Sequence, residues 1–188
     1  NKDTDDPAAN NYRYNDIDTI PDGALEYEPS RMPYLTPDIN VQRQCAIGDI
    51  DGDGDPDILI ATGLQNIGSQ NLALMNDGSG YFTEESYRLP YRSDDSMDME
   101  LVDVDGDGDL DLIVINRPSI TPVGGFYQYS RLLLNNGAGF FSDVTDPSIW
   151  PLATRTLAGE SILAGNIFST TAKDLVILCS NPTAPIVI

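Results

Sequence analysis

One block of this chain is written twice. Residues 48 to 60 read GDIDGDGDPDILI, and 54 positions later residues 102 to 114 read VDVDGDGDLDLIV. A third copy, displaced by a further 63 residues, runs from Gly165 to Leu178 and keeps the apolar end while losing most of its acids. A period of this length belongs to folds made of similar units that bury their faces against one another. A second element lies between the copies: Leu74 to Phe82 reads LMNDGSGYF, against LLNNGAGFF for Leu133 to Phe141. Asn and Asp beside Gly supply the positive-φ residues of a tight hairpin turn. The beginning of the chain joins the pattern through Arg31-Met32-Pro33-Tyr34, which matches Arg88-Leu89-Pro90-Tyr91.

Each unit therefore reads as strand, acidic turn, apolar strand, loop, strand, glycine turn and strand, with no sustained period of 3.6 residues. The predicted class is all-β. The apolar runs Ile58 to Ala61 and Leu112 to Ile115 imply strands covered on both faces. About four strands in some 50–60 residues predicts β-propeller blades, with a β-sandwich as the alternative. The expected division is a linker or docking arm at 1–13, a repeat tail at 14–37, repeats at 38–91 and 92–151, and a degenerate repeat start at 152–188. That is fewer units than the roughly 4–8 blades of a closed ring, and the expected half-blades would leave strand edges open to self-association or to a protein partner.

The acidic turns carry the chemistry. Asp occupies alternate positions in both, as Asp49, Asp51, Asp53, Asp55 and Asp57, and as Asp103, Asp105, Asp107, Asp109 and Asp111. So many carboxylates in one turn repel one another unless a cation lies among them. Ca²⁺ accepts about 6–8 oxygens in flexible geometry, and the intervening glycines permit the curvature that wraps alternate residues around one point. The expected ligands are Asp49, Asp51, Asp53 and Asp57 for a first ion and Asp103, Asp105, Asp107 and Asp111 for a second. Asp55 and Asp109 are expected to offer mainly backbone carbonyls. Mg²⁺ demands stricter octahedral order, and softer metals want nitrogen or sulfur. An EF-hand would need Glu at the twelfth position, where Ile60 and Val114 stand. In the third copy Phe168 and Lys173 displace acids, so no tight calcium is expected there.

These residues resemble the FG-GAP or VCBS type of repeat, known from integrin α-subunit propellers and secreted bacterial proteins. The resemblance lies in Asp49 to Asp57, Asp103 to Asp111, the strands after them and the turns near Gly78 and Gly137. It implies propeller blades with structural calcium in their loops, presenting a surface for adhesion, for glycans or for an attached catalytic domain.

Composition narrows the function further. With 30 acidic residues against 10 basic ones the formal charge is -20, which repels nucleic acid and anionic lipid. Membrane insertion is not expected either, because no apolar run approaches the length of a spanning helix. The absence of His removes the commonest general base and transition-metal ligand. Adjacent acids such as Glu84 and Glu85 or Asp94 and Asp95 point to opposite faces of a strand and make a poor catalytic pair. The leading expectation is a non-catalytic, extracellular calcium-binding module for interaction or assembly. The alternatives are a glycan-binding propeller, with Tyr81, Tyr87, Tyr91, Phe126, Tyr127, Tyr129 and Trp150 as stacking candidates, or an accessory domain of a secreted polysaccharide-active enzyme. Cys45 and Cys179 are expected as buried free thiols. No usable Asn-x-Ser/Thr acceptor occurs, which slightly favours a bacterial or archaeal surface.

Overall fold

A computed structural model describes residues 31–33, 42–63, 68–117, 129–146, 159–168, 173–179 and 186–187. The 1–13 arm, most of the 14–37 repeat tail, and Phe126, Tyr127 and Trp150 lie outside the described residues.

The fold is all-β. Among the described residues the strands are β1 (Gln42–Gly48), β2 (Asp57–Thr62), β3 (Leu72–Asn76), β4 (Phe82–Glu84), β5 (Ser96–Val102), β6 (Asp111–Asn116), β7 (Arg131–Asn135), β8 (Phe141–Asp143), β9 (Gly159–Gly165), β10 (Asp174–Cys179) and β11 (Ile186–Val187). They form three antiparallel sheets in chain order: β1-β2-β3-β4, β5-β6-β7-β8 and β9-β10-β11. Each block found in the sequence sits at the same place in its sheet. The acidic turn joins the first strand to the second, and the glycine turn joins the third to the fourth in the two four-stranded sheets.

Alternation along the strands sends side chains to opposite faces, and both faces of the middle sheet are used. Met99, Leu112, Val114 and Leu133 pack with Leu59, Ala61, Ala73 and Met75 of the first sheet. Val102, Ile113 and Ile115 pack with Ile162, Leu175 and Ile177 of the third. This explains the unbroken apolar run in β6, whose residues are all buried. Fully burying a Leu or Ile side chain contributes about 1.5–3 kcal/mol, so the middle sheet is held from both sides.

Polar side chains reinforce both junctions. At the first, Asp95 pairs with Arg43 of β1 at 2.7 Å, while within the second repeat Arg131 meets Asp94 at 2.7 Å and Asp143 at 3.1 Å. At the second, Asp98 accepts from the Ser161 hydroxyl at 2.6 Å and the Ile162 amide at 2.9 Å, while Glu100 accepts from the Ala164 amide. The acids of β5 thereby satisfy backbone donors of β9, which among the described residues is an edge strand of its sheet.

The repeated Arg closes a second kind of contact. Arg31 lies over the Tyr81 ring and donates to the Ser79 carbonyl at 3.3 Å; Arg88 lies over the Phe140 ring and donates to the Ala138 carbonyl at 2.7 Å. Each Arg thus grips the glycine turn of the repeat that follows it.

One expectation needs correction. Cys45 is exposed and free rather than buried, because it lies opposite Ile60 on edge strand β1, on the face turned away from the second sheet. The Cys179 side chain lies outside what is described. Of the aromatic stacking candidates, Tyr81, Tyr87 and Tyr91 are exposed, since they fall at or beyond strand ends.

Candidate metal centre

Both acidic turns gather carboxylates in the same way. Asp49, Asp51 and Asp57 each place a carboxylate oxygen within 4.8 Å of the others, and so do Asp103, Asp105 and Asp111. Three of the four side-chain ligands expected in each turn therefore converge on a site that could hold a metal ion. The fourth does not join the group. Asp53 accepts from the Asp55 amide at 2.9 Å, and Asp107 accepts from the Asp109 amide at 2.9 Å. Asp55 and Asp109 lean instead against the glycine turns, where their carboxylates occupy the space a Cβ on Gly78 or Gly137 would need.

The turn is shaped by its own first acid. Asp49 accepts from the Gly52 and Gly54 amides at 2.8 and 2.9 Å, and Asp103 does the same for Gly106 and Gly108 at 2.7 and 3.2 Å. These bonds curl the backbone around the carboxylate and bring the third position beside the first.

The ninth position has a role that ligand spacing alone does not disclose. Buried Asp57 accepts from the Ile50 amide at 3.1 Å with one oxygen and from the Asn76 amide at 2.8 Å with the other. Asp111 does the same for Val104 at 2.9 Å and Asn135 at 2.9 Å. Each of these carboxylates fastens its acidic turn to the end of the third strand. The degenerate copy keeps the bond within the turn: Asp174 accepts from the Ile167 and Phe168 amides, both at 2.8 Å. Persistence of Asp at position nine in a turn that has lost its other acids was the signal available in the sequence. Among the described residues, that third turn gathers no metal-holding group.

Burial pushes the Asp57 and Asp111 carboxyls above the usual carboxylate range. Neighbouring acids of the same turn push the same way, against the backbone amides that favour the ionised form. A cation would reverse the balance, because its charge favours the carboxylate. Asp51 adds an independent sign of fit: its Oδ1 is buried with no hydrogen-bond partner. An orphaned carboxylate oxygen among two other carboxylates, with no nitrogen or sulfur donor in the group, suits a hard divalent cation.

The two turns are also joined. Asn135 donates its side-chain amide to the Ile50 carbonyl in the first turn at 2.7 Å and to the Leu110 carbonyl in the second at 3.1 Å. Asn76 makes the corresponding bond to Pro56 at 3.1 Å.

The remaining acids considered for chemistry are occupied structurally. Asp94 and Asp95 are buried in ion pairs with Arg131 and Arg43, and Glu85 holds Arg88 at 2.7 Å. Glu84 accepts from the Ser86 amide at the end of β4.

Taken together, the chain is an all-β repeat protein whose successive sheets each join their first two strands through an acidic, cation-compatible turn or its degenerate form. Residues 49–114, roughly a third of the chain, match the FG-GAP-like repeat family. The match begins at the first acidic turn and ends within β6, so it contains both clusters. No curated protein matches the chain.

Proposed function

We propose that the three sheets are consecutive blades of propeller type and that each of the first two acidic turns binds one Ca²⁺, so that the chain serves as a non-catalytic interaction module. The observation that carries this reading is the equivalence of the two clusters: the first, third and ninth acids of both turns come within 4.8 Å of one another. Asp49, Asp51 and Asp57 would hold one ion and Asp103, Asp105 and Asp111 the other. The ion's chemistry is charge neutralisation, which lets crowded acids hold a turn closed. Stacking of each sheet on the next, face to face and in chain order, favours blades over a two-sheet sandwich. Weak sites of this kind fill at the millimolar calcium found outside cells, which favours an extracellular setting. Occupation of Asp94 and Asp95 by arginines supports a binding role over a catalytic one.

Calcium calorimetry on the chain tests the reading. Two sites are expected, with Asp51→Asn removing one and Asp105→Asn the other; unaltered stoichiometry in both variants would refute it. Filling each site at about 100 times its Kd would add about 2.7 kcal/mol to folded-state stability, so a chelator should lower the melting temperature.

A second reading, glycan binding, is favoured by one observation. Tyr87 and Phe140 form an exposed ring pair 6.2 Å apart beside the Arg88 guanidinium, the kind of aromatic surface on which sugar faces stack. Absence of binding across a diverse glycan array in calcium would remove it.

A further inference from the structure

The ninth-position carboxylates of the two acidic turns are joined by an unbroken line of buried hydrogen bonds. Asp57 of the first turn accepts from the Ile50 amide at 3.1 Å, and the Ile50 carbonyl accepts from the Asn135 side-chain amide at 2.7 Å. The Asn135 backbone amide then donates to Asp111 of the second turn at 2.9 Å. Asp57, Ile50, Asn135 and Asp111 are all buried. Asn135 has no slack within this line. It also donates to the Leu110 carbonyl at 3.1 Å, and its side-chain oxygen accepts from the Asn136 and Gly139 amides at 2.8 and 3.1 Å. A side chain held at both ends of its amide passes a displacement of Ile50 on to its own backbone rather than absorbing it.

Packing follows the same path. Ile50 stands between Asp49 and Asp51, two of the acids that converge in the first turn, and Leu110 directly precedes Asp111 in the second, so the carbonyls that Asn135 grips belong to the turns themselves. The glycine turn that begins at Asn135 lies between the two acidic turns. On one side the Asp109 carboxylate occupies the space a Cβ on Gly137 would need. On the other, a Cβ on Gly52 would lie 3.6 Å from the Gly137 carbonyl, and one on Gly139 would lie 3.2 Å from the Asp51 Cβ.

We propose that filling either turn with Ca²⁺ raises the affinity of the other, a coupling that rests on the two-calcium reading above and runs through Asn135 as a positioning residue. An ion in the first turn fixes Asp51 and Asp57, and with them the Ile50 peptide that Asp57 holds. Asn135 is then held from that side, and the backbone amide that aims Asp111 is in place before the second ion arrives. The line is ordered once for both ions, which gives positive coupling without a change of fold, and linkage makes the effect equal in both directions. Repulsion between the two ions opposes it. That repulsion is screened by salt, with a Debye length of about 8 Å at physiological ionic strength, whereas buried hydrogen bonds are screened far less.

The test is calcium calorimetry at physiological ionic strength on the parent chain and on Asp51→Asn and Asp105→Asn, each of which keeps one site. The product of the parent's two stepwise association constants, divided by the product of the two single-site constants, is the coupling factor. It should be about fivefold or more larger than in the same three chains carrying Asn135→Leu. The charge lost in Asp→Asn is common to both sets and cancels. Destabilisation alone would not lower the factor, because a chain that folds on binding shows more apparent coupling rather than less. A second measurement leaves Asn135 in place. In Asp105→Asn, where only the first turn fills, calcium should shift the nuclear magnetic resonance signals of the Asn135 side-chain amide and of the Asn135 and Val104 backbone amides that Asp111 accepts. Two bound ions with the same coupling factor in both sets overturn the proposal and leave the calcium reading standing. So do Asn135 and Val104 signals that stay still while the first turn fills. A parent that binds no ion overturns both.

Discussion

Arg88 donates to the Ala138 carbonyl at 2.7 Å, so the end of one repeat holds the glycine turn of the next. The same guanidinium covers the Phe140 ring and is itself held by Glu85. Replacing it by Ala removes a cation–π contact and a hydrogen bond, and stability should fall by about 1–2 kcal/mol in denaturant unfolding. Arg88→Lys should recover only part, since an ammonium cannot stack and donate in the same planar geometry. Arg31→Ala should cost less, because Arg31 is exposed and its bond to Ser79 is longer.

Asn135 ties the two acidic turns to one hairpin. Asn135→Leu should destabilise the chain by about 1–3 kcal/mol, because the Ile50 carbonyl is left without its buried partner. Asn76→Leu, whose bond to Pro56 is exposed, should cost less. Equal losses in the two variants would contradict the bridging role.

Gly78 and Gly137 sit at φ of 77° and 76°, and a Cβ at either place would fall on a neighbouring Asp carboxylate at 2.4 or 2.5 Å. Gly78→Ala and Gly137→Ala should therefore lower stability by about 1–2 kcal/mol or more, through left-handed backbone strain together with the clash. Gly165→Ala meets no atom within 4 Å and serves as the control, with little change expected in its melting temperature.

Asp143 offers a test by pH. Burial alone would raise its pKa, but the Thr145 hydrogen bonds and the Arg131 and Arg92 charges outweigh burial and hold it below the usual carboxylate range. A depressed folded-state pKa contributes stability that is fully present above the unfolded value of about 3.9 and is lost as pH falls through the lower folded value. The stability gap between the parent and Asp143→Asn should be constant from neutral pH down to about 5 and should close in more acid solution. A gap that widens on acidification would reverse the assignment.

The sequence by itself determined the repeat, the all-β class and the places of the acidic and glycine turns. Each of these is written locally, in residues whose backbone preferences act over a few positions. The apolar run at Leu112 to Ile115 even announced a strand covered on both sides, because burial on both faces leaves no polar alternation to see. What the tertiary structure alone decided is which side chains meet. Spacing gave Asp53 and Asp107 the same side-chain role as Asp57 and Asp111, yet Asp53 and Asp107 turn to backbone amides while Asp57 and Asp111 reach across to Asn76 and Asn135. Nothing local places Arg88 on Ala138, 50 residues away, or Asn135 on Ile50, 85 residues away. Exposure of Cys45 was equally invisible, since its surroundings depend on which face of β1 the neighbouring sheet covers. A strand's period specifies that it has two faces; only the stacking of whole sheets decides which one is closed.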